Sequence, residues 1–444
     1  MSGPVISSDE EGYQAAREVW NAAVLHEPAI IACCVSAADV QAAVSVAVHD
    51  GLPLSVKAGG HDWAGRSLRH GGIVIDLSRM RSVAVDPLTR AATVEGGATI
   101  GDLVRACRPH ALAPVTGTVR TVGMAGLTLA GGYGPLAGRC GLVLDNLLAA
   151  EVVLADGRRV IADALTSPEL FWALRGGGGN FGVVTRLRYR LHPFEQVVGG
   201  LAVFPMRDAR AVMRGYRELL ASAPDELTIQ MGFMATPEGP GIFLFPTWCG
   251  ERAGGEKLLG SLARLGSPLS FHIGPTAYED LLATFDVFGG RGRHWALQSR
   301  SLYGLSDDTE VVLLDAGKGL TSPISAIGVH HFHGVAARVP EEATAFGLRE
   351  DHLMVKLIAG WEPSADDDGS RHRSWVNRAA EALESQALPG GYPNLLGPKE
   401  QARALQSYGP NVTRLLALKR RFDPDNVFGS ATPALGEGGL ARVA

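Results

Sequence analysis

The sequence predicts an α+β fold in more than one domain. At 444 residues the chain is too long for one ordinary core. Short strands, helices and glycine turns alternate over its first part, and the texture changes at His192-Pro193, after which glycine turns thin out. Glycine is the compositional outlier, at 56 residues with no collagen-like period, and much of it clusters in turns. That pattern points to close backbone approaches, because only glycine leaves no Cβ in the way.

The elements read as follows. An apolar run at 29–35 is a buried strand. Ser36 stands three residues before Asp39 as a helix cap, and an Ala/Val helix runs to about His49, ended by Asp50-Gly51. A second strand at 54–56 delivers the turn Lys57-Ala58-Gly59-Gly60-His61-Asp62, which places a histidine in a glycine corner. Strands follow at 72–77, and at 83–85 and 92–95 around Asp86-Pro87. Gly96-Gly97 leads into a helix at 100–107, and a glycine-dense stretch fills 117–141. A strand at 147–154 turns at Asp156-Gly157 into 159–161. Ser167-Pro168-Glu169 opens a helix that ends at Arg175. The alternation at 183–191 is a half-exposed strand. Beyond it, a helix at 208–221, strands near 228–233 and 241–248, and a helix at 255–265 read as a second domain. The tail from Gln401 returns to a helix carrying Leu415, Leu416 and Leu418.

Bulk properties exclude several classes. A net charge of −5 without a basic block argues against nucleic acid or an anionic membrane as partner. Five cysteines without CxxC spacing suggest neither a zinc ribbon nor a disulfide framework. No basic-then-apolar leader and no uncharged run of membrane-spanning length is visible, so a cytoplasmic protein is expected.

Gly177-Gly178-Gly179-Asn180-Phe181-Gly182 matches G-x-G-x-x-G by letter. A nicotinamide fingerprint needs a strand before it and a helix after it, and here the order is reversed. The turn's amides can still cradle a phosphate as a nest. With Gly59-Gly60-His61, Gly131-Gly132-Tyr133-Gly134 and Asp145-Asn146, it makes four loops within about a third of the chain, suited to one large phosphate-bearing cofactor.

Those turns, with Gly72-Ile73-Val74-Ile75-Asp76-Leu77, Gly141-Leu142-Val143-Leu144-Asp145-Asn146, Glu169-Leu170-Phe171-Trp172-Ala173-Leu174-Arg175-Gly176 and Arg421-Phe422-Asp423-Pro424-Asp425-Asn426, occur in the order seen in one family. Over nearly its whole length the chain resembles the berberine bridge enzyme-like and hydroxynicotine oxidase-like flavoproteins of the vanillyl-alcohol oxidase superfamily. The resemblance implies a discontinuous PCMH-type FAD-binding domain, formed by residues 1–195 and a C-terminal return at 396–444. Residues 196–395 would form a substrate domain with an antiparallel sheet covered by helices.

The resemblance also implies residue roles. His61 would carry FAD through an 8α-histidyl bond. Val119 stands where some members have a second, cysteinyl tether, so a single link is expected. Val122 matches a position that resembles an oxygen gate, which favours oxidase behaviour. Lys57 replaces the usual arginine, keeping charge but not a bidentate fork. The cofactor-contacting set would comprise Lys57, Ala58, Gly59, Gly60, His61 and Asp62; Gly117, Val119, Val122, Gly123 and Gly126; Gly131, Gly132, Tyr133 and Gly134; Asp145 and Asn146; Gly178, Gly182, Val183 and Val184; and Asn394.

The base is less legible. Relatives carry Tyr-x-Asn-Tyr, whose second tyrosine deprotonates substrate, whereas this chain reads Tyr392-Pro393-Asn394-Leu395. Tyr392, His331 and His333 are the catalytic candidates, with Tyr278, His294 and Tyr303 behind them. In a strand, His331 and His333 of His330-His331-Phe332-His333 share a face and His330 points away. No third ligand accompanies these histidines, so no metal is assigned. The expected activity is oxidation of a small organic molecule, a secondary metabolite by family analogy. Hydride passes to flavin N5, and O2 is reduced to H2O2. A flavin dehydrogenase and a non-catalytic flavin-binding protein are the alternatives. A monomer or homodimer is expected.

Overall fold

Residues 1–431, 434 and 435 are described in the computed structural model, and their strands form three sheets. The first contains β1 (Val5–Ser7), β2 (Ile30–Cys33), β3 (Leu54–Lys57) and β4 (Ile73–Asp76) in the order β1-β2-β4-β3. Its last three strands are parallel, as a strand–helix–strand unit requires. The crossover helix Ala37–His49 starts where the Ser36 side chain accepts from the Asp39 amide, and buries Val40, Ala43, Val44 and Ala47 against the sheet.

The second sheet is antiparallel: β5 (Val83–Asp86), β6 (Ala91–Glu95), β7 (Ala113–Pro114), β8 (Leu147–Val153), β9 (Arg159–Asp163) and β10 (Val183–His192). The helix Ile100–Cys107 packs beside it, and Thr99 and Asp102 cap that helix reciprocally.

The third sheet has seven antiparallel strands: β11 (Val197–Pro205), β12 (Leu227–Thr236), β13 (Gly239–Trp248), β14 (Ser270–Thr276), β15 (His294–Leu302), β16 (Ala326–Phe332) and β17 (His352–Trp361). Their order is β14-β11-β13-β12-β16-β17-β15. Alternation sorts the side chains. Ile229, Met231, Phe233, Ile327, Val329, Val355 and Leu357 face the helices Ala209–Leu220, Asp307–Lys318 and Ser370–Ala382. Phe243, Phe245 and Val203, on the other face, join the core built by the second sheet. The 255–265 expectation shifts: the α-helix is Arg252–Gly260, and Ser261–Leu265 tightens to a 3-10 helix.

The tail returns to the first two sheets. On helix Val412–Phe422, the Lys419 ammonium donates to the Asn180 carbonyl at 2.9 Å and to Asp423 at 2.5 Å. Phe428 packs with Val153 and Val183.

Candidate active site

The histidine corner is fixed by its neighbours' lack of side chains. A Cβ on Gly59 would sit 2.4 Å from the Gly123 nitrogen, and one on Gly123 would sit 2.6 Å from the Gly59 nitrogen. Two backbones therefore touch at a point where neither residue can be anything but glycine. Gly60 has φ +69°, which turns the chain so that His61 reaches Thr121, with Nε2 2.7 Å from its Oγ1. Beneath the corner, Lys57 forms a buried ion pair with Asp76 at 2.9 Å, joining β3 to β4, and also donates to the Ala16 carbonyl.

On its other side the His61 ring stacks on Trp20, centroids 5.3 Å apart, and Trp20 stacks on Trp295 of β15 at 4.5 Å. Burial, aided by the nearby Arg291 charge, pushes the His61 pKa down to about 4. The imidazole is therefore neutral at physiological pH, with Nε2 engaged by Thr121.

His61 opens into a cavity of about 450 Å³ between the glycine turns and the third sheet. Val119, Val122, Gly123 and Gly126 form one wall, Gly178, Gly182, Val183 and Val184 another, and Phe428, Ser430 and Ala431 of the tail close an end. The third sheet supplies the roof through Gln230, Met234, Phe243, Leu297, Ala326, Gly328, Lys356 and Ile358.

Register explains why polar groups meet in this roof. Gln230 pairs with His330 and His330 with Met354 in one row; Gly232 pairs with Gly328 and Gly328 with Lys356 in the next. Ser299 and Ser301 continue these rows on β15. The Lys356 chain lies over Gly328, where a Cβ would meet its Cε at 3.2 Å. Burial without a counter-ion pushes the Lys356 pKa down to about 8. His330 is held well below its usual pKa by burial and then by the Lys356 charge.

Comparison with known proteins settles the family. A model described as an FAD binding domain matches residues 28–163, and one described as berberine and berberine like matches residues 391–433. The (R)-6-hydroxynicotine oxidase of Paenarthrobacter nicotinovorans is 31% identical, over 96% of this chain and 95% of its own. The chain belongs to the berberine bridge enzyme-like FAD-linked oxidoreductases. An uncharacterised FAD-linked oxidoreductase of Bacillus subtilis, YgaK, is 28% identical over 96% of each chain. The solved structure of 6-hydroxy-D-nicotine oxidase from Arthrobacter nicotinovorans superposes with a TM-score of 0.86 at 28% identity, covering 97% of each chain.

FAD fits the residues of this oxidoreductase. Gly126 lines the cavity and has no heavy atom within 4 Å of where a Cβ would stand, so its wall is open to a flat group. The Gln230 amide nitrogen is buried without a hydrogen-bond partner, as suits a surface that meets a bound molecule.

Of the residues expected from sequence, Ala58, Gly59, Gly60, His61, Asp62, Val119, Val122, Gly123, Gly126, Gly178, Gly182, Val183, Val184, Tyr392 and Asn394 all line the cavity. Others lie behind it and build the wall. Lys57 is spent on Asp76. Gly117 packs against Ile100 and Leu127. A Cβ on Gly131 would meet Tyr392, one on Gly132 would meet Val143, and one on Gly134 would strike the Thr116 carbonyl. The Tyr133 hydroxyl bonds His352 at 2.8 Å. Asp145 forms a buried pair with Arg349, and Asn146 donates to the carbonyls of Cys140 and Leu142.

The histidine expectation is corrected. His331 and His333 do share a face and stack at 4.1 Å, but that side carries Val329, packed towards the helices, and neither histidine lines the cavity. His331 meets Asp351, and His333 lies against Gly138. It is His330 that shares the face of Gly328 and Lys356. Tyr278 bonds Thr116, His294 packs edge-on against Trp361 and Tyr303 is exposed; none lines the cavity. Tyr392 does, with its oxygen accepting from the Gly132 amide at 3.0 Å and from Asn394 at 3.1 Å. Leu395 beside it is apolar. Sequence reading missed Trp20, Thr121, Gln230 and Lys356. A lone lysine in the apolar run His352–Trp361 was the available signal for the last. Among the described residues, no cluster of His, Cys, Asp or Glu is placed to hold a metal, and no helix is long and apolar enough to cross a membrane.

Proposed function

We propose that this FAD-linked oxidoreductase is an oxidase of a small organic molecule, with FAD tethered through His61 alone. The observation that carries the reading is the neutral His61 ring, held by Thr121 and Trp20 at the mouth of the apolar cavity. When bound, FAD supplies the two-electron acceptor, and the electrons then pass to O2 as H2O2. His61 would hold the cofactor through Nδ1, while the amides of the Gly59 and Gly178 turns would accommodate its polar parts. Val119 lines the same cavity and offers no second nucleophile. Val122 is also in the lining, at the position that resembles the family's oxygen gate, which supports oxidase over dehydrogenase behaviour.

Substrate would enter beneath the roof, where apolar side chains exclude water. Tyr392 is a poor base there, because burial raises its pKa and keeps the hydroxyl protonated. Lys356 is the group able to hold charge at the substrate. The test has two arms. Acid-precipitated protein should stay yellow, and His61→Ala should release the colour into the supernatant. Photoreduced protein should reoxidise in air within seconds with stoichiometric peroxide; a reduced flavin stable for minutes would remove the oxidase assignment.

A further inference from the structure

We infer that the substrate binds as an oxyanion, an aromatic or enolic molecule whose single acidic hydroxyl, deprotonated, is held by Lys356 against the roof; this rests on the oxidase reading above. Three observations converge. Apart from His61, the charged residues lining the cavity are Asp62, Arg66 and Lys356, and Asp62 is neutralised by Arg66 at 2.5 Å. Among the described residues no hydrogen bond or ion pair reaches Lys356 Nζ, so the roof of the cavity carries one positive charge that no side chain compensates. Burying such a charge without a partner is unfavourable, and a ligand anion relieves it.

The second observation is the row behind it. The side-chain polar atoms of Gln230 (Nε2), His330 (Nε2), Ser299 and Ser301 are all buried and unpartnered, and all four residues share the face of Lys356, with Gln230 the one that lines the cavity and the other three behind it. This face is rich in groups able to donate and bears no carboxylate, so it suits an electron-rich oxygen and repels nothing anionic. A cationic amine would find no side-chain counter-ion on this face. The third is shape. Lys356 offers a compact point charge, not the planar fork that matches a carboxylate. Trp20, Phe243, Phe285 and Phe288 give the surrounding walls flat apolar surface.

The experiment titrates the purified holoprotein with 4-nitrophenol and follows the phenolate absorbance against pH. The bound phenol should ionise at least one pH unit below the free one, a tenfold preference for the anion, and Lys356→Met should abolish that shift while flavin content stays constant. 4-Nitroanisole, 4-nitrobenzylammonium and 4-nitrobenzoate should each bind at least tenfold more weakly. Equal binding of the anisole, tighter binding of the ammonium or the benzoate, or no phenolate binding up to its solubility would overturn the inference. These failures are distinct from that of the underlying reading, which falls if the protein holds no flavin or yields no peroxide.

Discussion

Lys57→Met should remove more stability than any surface substitution in the chain. The Lys57 and Asp76 side chains are 5% and 4% exposed, and their charges lie 2.9 Å apart. Methionine fills a similar volume but leaves the Asp76 carboxylate buried with, among the described residues, only the Ser78 amide, at 2.8 Å, to satisfy it. The Ala16 carbonyl loses its donor as well. Removing one member of such a pair costs about 3–5 kcal/mol, because the remaining charge stays desolvated. Asp76→Asn should cost a similar amount for the mirror reason. The double variant Lys57→Met/Asp76→Leu removes both charges, so its loss should fall short of the sum of the single losses by about 2 kcal/mol or more. Urea unfolding followed by tryptophan fluorescence reads the cycle. Strictly additive losses, or single losses below about 1 kcal/mol, would refute the idea that this pair fixes the corner beneath His61.

On the proposed histidyl tether, Thr121→Val should slow flavin attachment while leaving folding intact, since it removes the hydrogen bond to His61 Nε2; time-resolved acid precipitation after adding FAD to apoprotein reads the rate. Gly123→Ala should abolish flavin incorporation altogether, because its Cβ meets backbone and not a movable side chain. Tyr392→Phe leaves the Gly132 amide unpartnered in a buried site and should cost about 1–3 kcal/mol in the same urea assay. His192, His333 and His352 have pKa values pushed down to about 4, chiefly by burial. Below pH 6.5 the unfolded chain binds protons that the folded one refuses, so stability should fall as pH drops from 6.5 towards 4, by up to about 1.4 kcal/mol per pH unit for each histidine. A urea midpoint that is flat between pH 6.5 and 4.5 would contradict these assignments.

Much of the first two sheets was legible in the sequence, because local rules decide it. The Ser36 cap, the Asp156-Gly157 turn and the alternation at 183–191 each act within a few residues. His61 could be singled out because glycine on both sides of a tight approach leaves a plain mark. The roof was not legible in that way. Alternation shows that His331 and His333 share a face, but which face meets the cavity depends on the sheet's docking, a long-range outcome. Lys356 gains its role from Gly328 and Gly232, which are distant in sequence and adjacent only through register. Asp145 and Tyr133 read as cofactor contacts because they sit among glycine turns, yet their partners, Arg349 and His352, lie some two hundred residues on.

The tail contact carries a consequence for biogenesis. Phe428, Ser430 and Ala431 complete the cavity wall, and Lys419 ties their helix to the Asn180 turn. The compartment therefore acquires this partition only once the chain has been made through residue 431. FAD retention should depend on this segment, and a chain ending at residue 410 should display His61 without holding the cofactor against it.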